Sequence, residues 1–347
     1  MKGVAGGWWL MVACIARGVS SSVVVDGLGC LAIAEKNDGF GAQYHAHMSA
    51  YAWAAHVGSR FCFSGVKTMH DLKIDKVAHF GASALTMMQG TMGFEPKNCS
   101  ACQHAASFVR EVETASSPVD ALYTQTIRNE LRKRYYRGAG KVSVFGPRLP
   151  AHPSNKTNVA VHIRTGFDAE RGKRHREAWF YLAVIQGIRK LTPDALFHIY
   201  SQGTPCEFRQ YSAPDVKLHL DTSVLETFHS FVTADILVTG PSDFSWSAAL
   251  LRTGTVFATP MWFHPLAHWV VIVNTEPDAS ASCGTLCDVL QVPLNDTVYK
   301  QSHAYLEIKR PMNTAAADGT GRCMRGGLAR DAGRPVRAPL HGCTLLT

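Results

Sequence analysis

The spacing of apolar positions changes character along the chain, and each change predicts an element. "CLAIAE", residues 30–35, is a short apolar run that reads as a buried strand. "NDGFGAQ" follows with two turn glycines. Small residues then recur at Ala42, Ala46, Ala50 and Ala54, one face of a helix that runs to about Val57. "RFCFS", residues 60–64, predicts a second strand, and the polar, Cys-containing stretch around residues 95–102 a loop. Residues 117–136 carry a helical pattern, with Ser117 as N-cap and Pro118 in the first turn.

The second half alternates strand and helix patterns. Strands are predicted at 158–164, 196–201, 216–220, 235–239 and 255–259, and helices at 176–191, 223–234 and 243–252. Alternation at this spacing implies an α/β fold, a parallel sheet with helices on both faces. Ligands of such sheets bind at the carboxyl ends of strands. His162, Arg164, Ser201 and Ser242 fall at or just past such ends.

The Pro- and turn-rich stretch 146–157 is read as a domain linker. It separates an N-terminal domain, 23–150, from a second, 151–275, with an extension over 276–314. From residue 315 to 347 the chain is rich in Gly, Ala and Arg without periodicity, which predicts a disordered tail.

Composition narrows the setting. Of 347 residues, 46% are hydrophobic and 18% charged, a globular balance. The net charge is +8, but from Lys309 onward seven Lys or Arg face two Asp, which places +5 of it in the C-terminal stretch. No basic stripe with interleaved aromatics is present, and a nucleic-acid partner is not expected. Residues 1–22 hold one Lys, an apolar run from Trp8 to Ala16 and small residues after Arg17, the pattern of a signal peptide. An uncleaved membrane anchor starting at Gly3 is the alternative reading. Ten cysteines and the sequons at Asn98, Asn155 and Asn295 agree with the secretory pathway: a Golgi or ER lumen, or secretion. Cys99/Cys102 and Cys283/Cys287 are close pairs with no zinc-finger His pair following, and disulfides are expected, with pairing left open.

Three stretches could bear chemistry. Gly39 and Gly41 sit between a strand and a helix, where glycine allows a ligand near the backbone and the helix start favours an anion. A plain tight turn gives the same pattern, and the third glycine of a dinucleotide fingerprint is missing. His162 and Arg164 alternate to one side of their strand, and an Arg there offers a planar fork to carboxylate or phosphate. A structural salt bridge beside a hydrogen-bonded His would look alike. In "LVTGPSDFSWSAALL", residues 237–251, Ser242, Ser245 and the first-turn N–H groups form an anion site or an ordinary cap. There is no Asp-x-Asp triplet, Walker lysine, Gly-x-Ser-x-Gly or His-Glu-x-x-His.

Taken in order, "DGFGAQYHAHMSAYAWA", "VHIRTGFD", "FHIYSQG" and "ADILVTGPSDFSWSAALL" resemble the peptide motifs of the fucosyltransferase superfamily of α1,2-, α1,6- and protein O-fucosyltransferases, over about residues 30–259. The resemblance implies two Rossmann-like domains of GT-B type facing a cleft, the N-terminal one on the acceptor side and the second holding the donor nucleotide. It implies inverting transfer of fucose from GDP-fucose to a glycan or protein hydroxyl, with no metal and no cofactor. It also implies that Arg164 holds the donor β-phosphate, with His162 beside it. Gly39, Gly41, Ser242, Phe244 and Ser245 would line the donor, and Glu226 would read the guanine. Asp168 stands near the family's acid; the base for the acceptor hydroxyl is Asp168, Glu170 or Glu177, and substrate assistance or a late proton transfer would need none. Ala42, Gln202, Asp243 and the turn lengthened by Phe167 depart from the motifs. These departures keep open a catalytically inactive sugar- or partner-binding relative, and a transferase using another nucleotide sugar.

Overall fold

The structure, a computed structural model, describes residues 29–33, 38–67, 82–105, 119–140, 156–165, 176–259, 261, 263–274 and 304–308. All lie in one compact unit, Met1–Met312. The expectations for the N-terminal leader, the linker core, Asp168, Glu170 and the tail fall outside the described residues, as do the sequons at Asn155 and Asn295.

The fold is α/β, with two sheets whose strands pair only in parallel among the described residues. The smaller sheet has β1 (Cys30–Ile33) between β2 (Arg60–Phe61) and β3 (Gln103–Ala105). Two disulfides staple it, Cys30–Cys102 and Cys62–Cys99. The two cysteines closest in sequence thus pair with distant partners rather than with each other. Helix α1 (Phe40–His56) follows β1, and α2 (Ala82–Thr91) precedes β3.

The single helix expected over residues 117–136 is instead two, α3 (Val119–Leu122) and α4 (Gln125–Ala139). The break falls between Tyr123 and Gln125, where Thr124 takes an extended ψ of 160°. The Tyr123 ring is buried and its hydroxyl lies 2.6 Å from Ser49 Oγ of α1, while the Tyr123 N–H still donates to Val119 O at 2.9 Å. Thr124 then starts the new helix, its Oγ1 accepting from Ile127 N at 3.3 Å.

The larger sheet contains β4 (Asn158–His162), β5 (Leu196–Ser201), β6 (Val216–Leu220), β7 (Ile236–Val238), β8 (Thr255–Ala258), β9 (Val270–Asn274) and β10 (Tyr305–Ile308). Their order is β10-β9-β8-β7-β4-β5-β6. The chain winds outward from β4 through β5 to β6, then returns to the other side of β4 and winds outward again. The direction reverses between β4 and β7. β9 and β10 extend the sheet past the strands expected from sequence, and β10 comes from the stretch read as an extension.

Alternation along β4 decides what each face holds. Val159, Val161 and Ile163 pack with Val184, Ile185 and Ile188 of α5 (Ala178–Leu191), whose apolar residues share one helical face. Ala160 and His162 point the other way, toward α6 (Val224–Thr233) and α7 (Asp243–Leu251). Arg252 closes α6: its guanidinium donates to Phe231 O at 2.6 Å and to Ala234 O at 2.7 Å.

Helix α1 joins the sheets. It is buried on nearly every side because one side packs on β1 and β2 and another on α7. One apolar core runs from Leu31 and Tyr44 through Phe228 to Trp246 and Trp269.

Candidate functional site

The reversal of winding brings the carboxyl ends of β4 and β7 side by side, and in open α/β sheets such a switch point is where ligands bind. Here β4 delivers His162 and Arg164, and the turn after β7 delivers Gly240 and Ser242.

Ser242 is the N-cap of α7. Its Oγ accepts from Phe244 N at 3.3 Å and from Arg164 Nη1 at 2.9 Å. A guanidinium therefore sits against the first turn of a helix, where backbone N–H groups and the helix dipole already favour negative charge. Both features suit a phosphate or carboxylate.

Ser245 is fully buried one turn into α7 and anchors the arrangement. Its Oγ accepts from Gly240 N at 3.1 Å and lies 2.9 Å from His162 Nδ1. Gly240 has to be glycine: a Cβ there would lie 2.8 Å from His162 O and 3.0 Å from His162 Nδ1. His162 is walled by Phe231 at 5.2 Å and Phe244 at 5.9 Å between ring centroids. Burial, and secondarily the Arg164 charge, lower its pKa to about 3, so the ring is neutral at neutral pH. It serves as a hydrogen-bonding group, with Arg164 as the cation beside it.

At the neighbouring strand end, Thr165 Oγ1 donates to Gln202 O at 2.7 Å and Ser201 Oγ to Ile163 O at 2.7 Å. These bonds tie the residues after β4 to the end of β5 and fix the path of the chain through Arg164.

The glycines after β1 divide in role. Gly39 is the N-cap of α1 with φ −68° and ψ 163°, values any residue adopts, and its N–H donates to Asp38 Oδ1 at 2.8 Å. Gly41 is buried against α7: a Cβ there would lie 2.6 Å from Phe244 N and closer still to Phe244 Cα. The missing side chain lets two helix starts touch. Phe244 packs in an aromatic group with Phe40, Phe228 and Phe231.

Asp243, where the motif resemblance puts a second Ser, places its carboxylate 3.2 Å from His45 Nδ1 of α1. Glu226 is exposed in the first turn of α6. Its charge acts on Tyr200, whose hydroxyl is pushed up to about 12 chiefly by burial. Of the candidate bases, Glu177 is the N-cap of α5 and accepts from Trp179 Nε1.

Gly240, Thr165 and His45 were not singled out from sequence. For Gly240 a signal existed, a glycine between a predicted strand end and a capping Ser. Among the described residues the one group of metal-type ligands is Cys62, Cys99 and Cys102, all held in disulfides. No described helix is long and apolar enough to cross a membrane.

No protein-family model matches the chain, and no curated protein matches it in sequence. Solved structures do align. The NodZ alpha-1,6-fucosyltransferase co-crystallized with GDP is 16% identical, with TM-score 0.34, over 67% of this chain and 95% of its own. The fucosyltransferase NodZ from Bradyrhizobium, as its Se-Met form, gives 13% identity and 0.33 over 67% and 95%. The heptosyltransferase WaaC of E. coli with ADP gives 12% identity and 0.33 over 81% and 93%.

Proposed function

We propose that the chain is a glycosyltransferase that moves fucose from GDP-fucose, with inversion and without a metal, to a hydroxyl of a glycan or protein acceptor. One observation carries the reading: Arg164 Nη1 rests on the capping Ser242 Oγ, 2.9 Å away, at the switch point of the larger sheet. The ordered motifs around Gly39, His162, Phe197 and Ser242 supply the donor class.

The chemistry needs what this corner offers. Breaking the bond between anomeric carbon and diphosphate develops oxocarbenium character on the sugar, by analogy with glycoside hydrolysis. Negative charge grows on the leaving phosphate. A planar guanidinium and helix-start N–H groups stabilise that charge where it forms, without an ion held by carboxylates. Neutral His162 adds a hydrogen bond beside the phosphate without a second full charge. The acceptor hydroxyl attacks from the opposite side and loses its proton to Asp168, Glu170 or Glu177, or late in the step to the substrate itself. Glu226 is the candidate acid for the guanine edge.

A second reading, a sugar- or partner-binding relative without turnover, is favoured by Asp243. Its carboxylate adds negative charge to the first turn of α7, where the donor phosphate would lie. GDP release from GDP-fucose in EDTA, with acceptor glycans supplied, separates the two. The transferase reading expects release that disappears in Arg164→Ala. A chain that binds GDP-fucose and releases no GDP supports the second.

A further inference from the structure

One motif plays no part in the switch-point site. Asn98-Cys99-Ser100 lies in the loop between α2 and β3, on the smaller sheet. Asn98 and Ser100 are exposed, and Cys99 between them is buried, 4% exposed, in its disulfide to Cys62. Ser100 N donates to Asn98 Oδ1 at 3.1 Å, closing an Asx turn. The turn uses the carbonyl oxygen of the side-chain amide. It leaves the nitrogen, on the other arm of the planar amide, outside the turn on an exposed residue.

We infer that Asn98 is a modification site that carries an N-linked oligosaccharide. Three observations converge. The triplet has the acceptor pattern of Asn, any residue but Pro, then Ser or Thr. Its outer residues face away from the core, so a bulky glycan is added without displacing a buried group. The segment is held by Cys62–Cys99 and Cys30–Cys102, bonds that persist in the oxidising compartments where such glycans are attached. The inference does not depend on the transferase reading.

The co-reactant is an oligosaccharide carried on a lipid diphosphate, supplied by the host cell's own transferase. Asn98 Nδ2 forms a bond to the anomeric carbon, the bond from that carbon to the diphosphate oxygen breaks, and the lipid diphosphate leaves with the electron pair. The amide nitrogen gives up one proton, and nothing is oxidised or reduced. Cys99 stands in the middle of the triplet, so attachment takes place on the open chain, before the bond to Cys62 folds the segment onto the sheet.

The test uses the full chain made in a eukaryotic cell. Treatment with peptide N-glycosidase in heavy-oxygen water converts a glycan-bearing Asn to labelled Asp, and peptide mapping reads each sequon separately. Labelled Asp at position 98 is the expected result. Asn98→Gln and Ser100→Ala should each remove one glycan, and Ser100→Ala does so while leaving the Asn in place. An unlabelled, unmodified peptide spanning position 98 from the wild-type chain overturns the inference, and that reading stands even if either variant fails to fold.

Discussion

Arg164 and Ser242 meet at 2.9 Å across the carboxyl ends of β4 and β7, so one hydroxyl both caps a helix and holds a guanidinium. Arg164→Ala should fold and lose on the order of 100- to 1,000-fold in turnover, the usual effect of removing one donor aimed at a developing charge. Arg164→Lys should recover little, because an ammonium lacks the planar fork. Steady-state rates beside a melting curve check this. Wild-type turnover in a folded Arg164→Ala protein would remove Arg164 from the site.

The two glycines after β1 should respond differently. Gly41→Ala places a methyl against the Phe244 backbone and should destabilise by about 1–3 kcal/mol or more, as overpacked positions do. Gly39→Ala meets an ordinary backbone conformation and should shift stability by a few tenths of that range. Urea unfolding of the two variants measures the contrast, and equal losses would contradict the packing role of Gly41.

How far the sequence could be read follows from the range of each contact. β5 and β6 coincide with their expected spans, and Ser242 caps α7 as expected, because apolar runs and caps are local signals. The split at Thr124 interrupts a helical pattern that continues on both sides of it, so periodicity alone does not show it. Gly41 reads in sequence as a place for a ligand to approach the backbone. In the fold its neighbour is Phe244, which is brought there only by the packing of α1 on α7. Strand β9, with an apolar run over 270–273, pairs with β8 just before it and carries a local signal that the expected strands leave out, whereas β10 lies past the expected domain end.

Stability should depend on pH through His162. An imidazole in the unfolded chain binds a proton below about pH 6.5, whereas His162 in the fold resists protonation down to about 3. The unfolded state therefore holds more protons across that window. The stability His162 contributes is present above about pH 6.5 and is lost as pH falls toward 3. Melting temperatures of wild type and His162→Asn should converge as pH drops from neutral toward 4. A constant difference would contradict the buried, neutral ring.

Reduction should loosen the smaller sheet. The disulfides link residues 72 and 37 positions apart, loops for which a cross-link is worth about 4 kcal/mol each. Melting in dithiothreitol should fall by more than about ten degrees, and Cys62→Ser should reproduce part of the fall. An unchanged melting temperature on complete reduction would show that these bonds carry no stability.

The proposed function requires the corner formed by Arg164, His162 and the start of α7 to hold the diphosphate of a guanine nucleotide without a metal. Calorimetry with GDP, UDP and CMP, each with and without EDTA, tests it most directly. GDP should bind most tightly, its affinity should be the same in EDTA, and Arg164→Ala should weaken it. Glu226→Gln should weaken GDP more than UDP. Preference for UDP, or loss of GDP binding in EDTA, would rule out a metal-free guanine-nucleotide site at this corner.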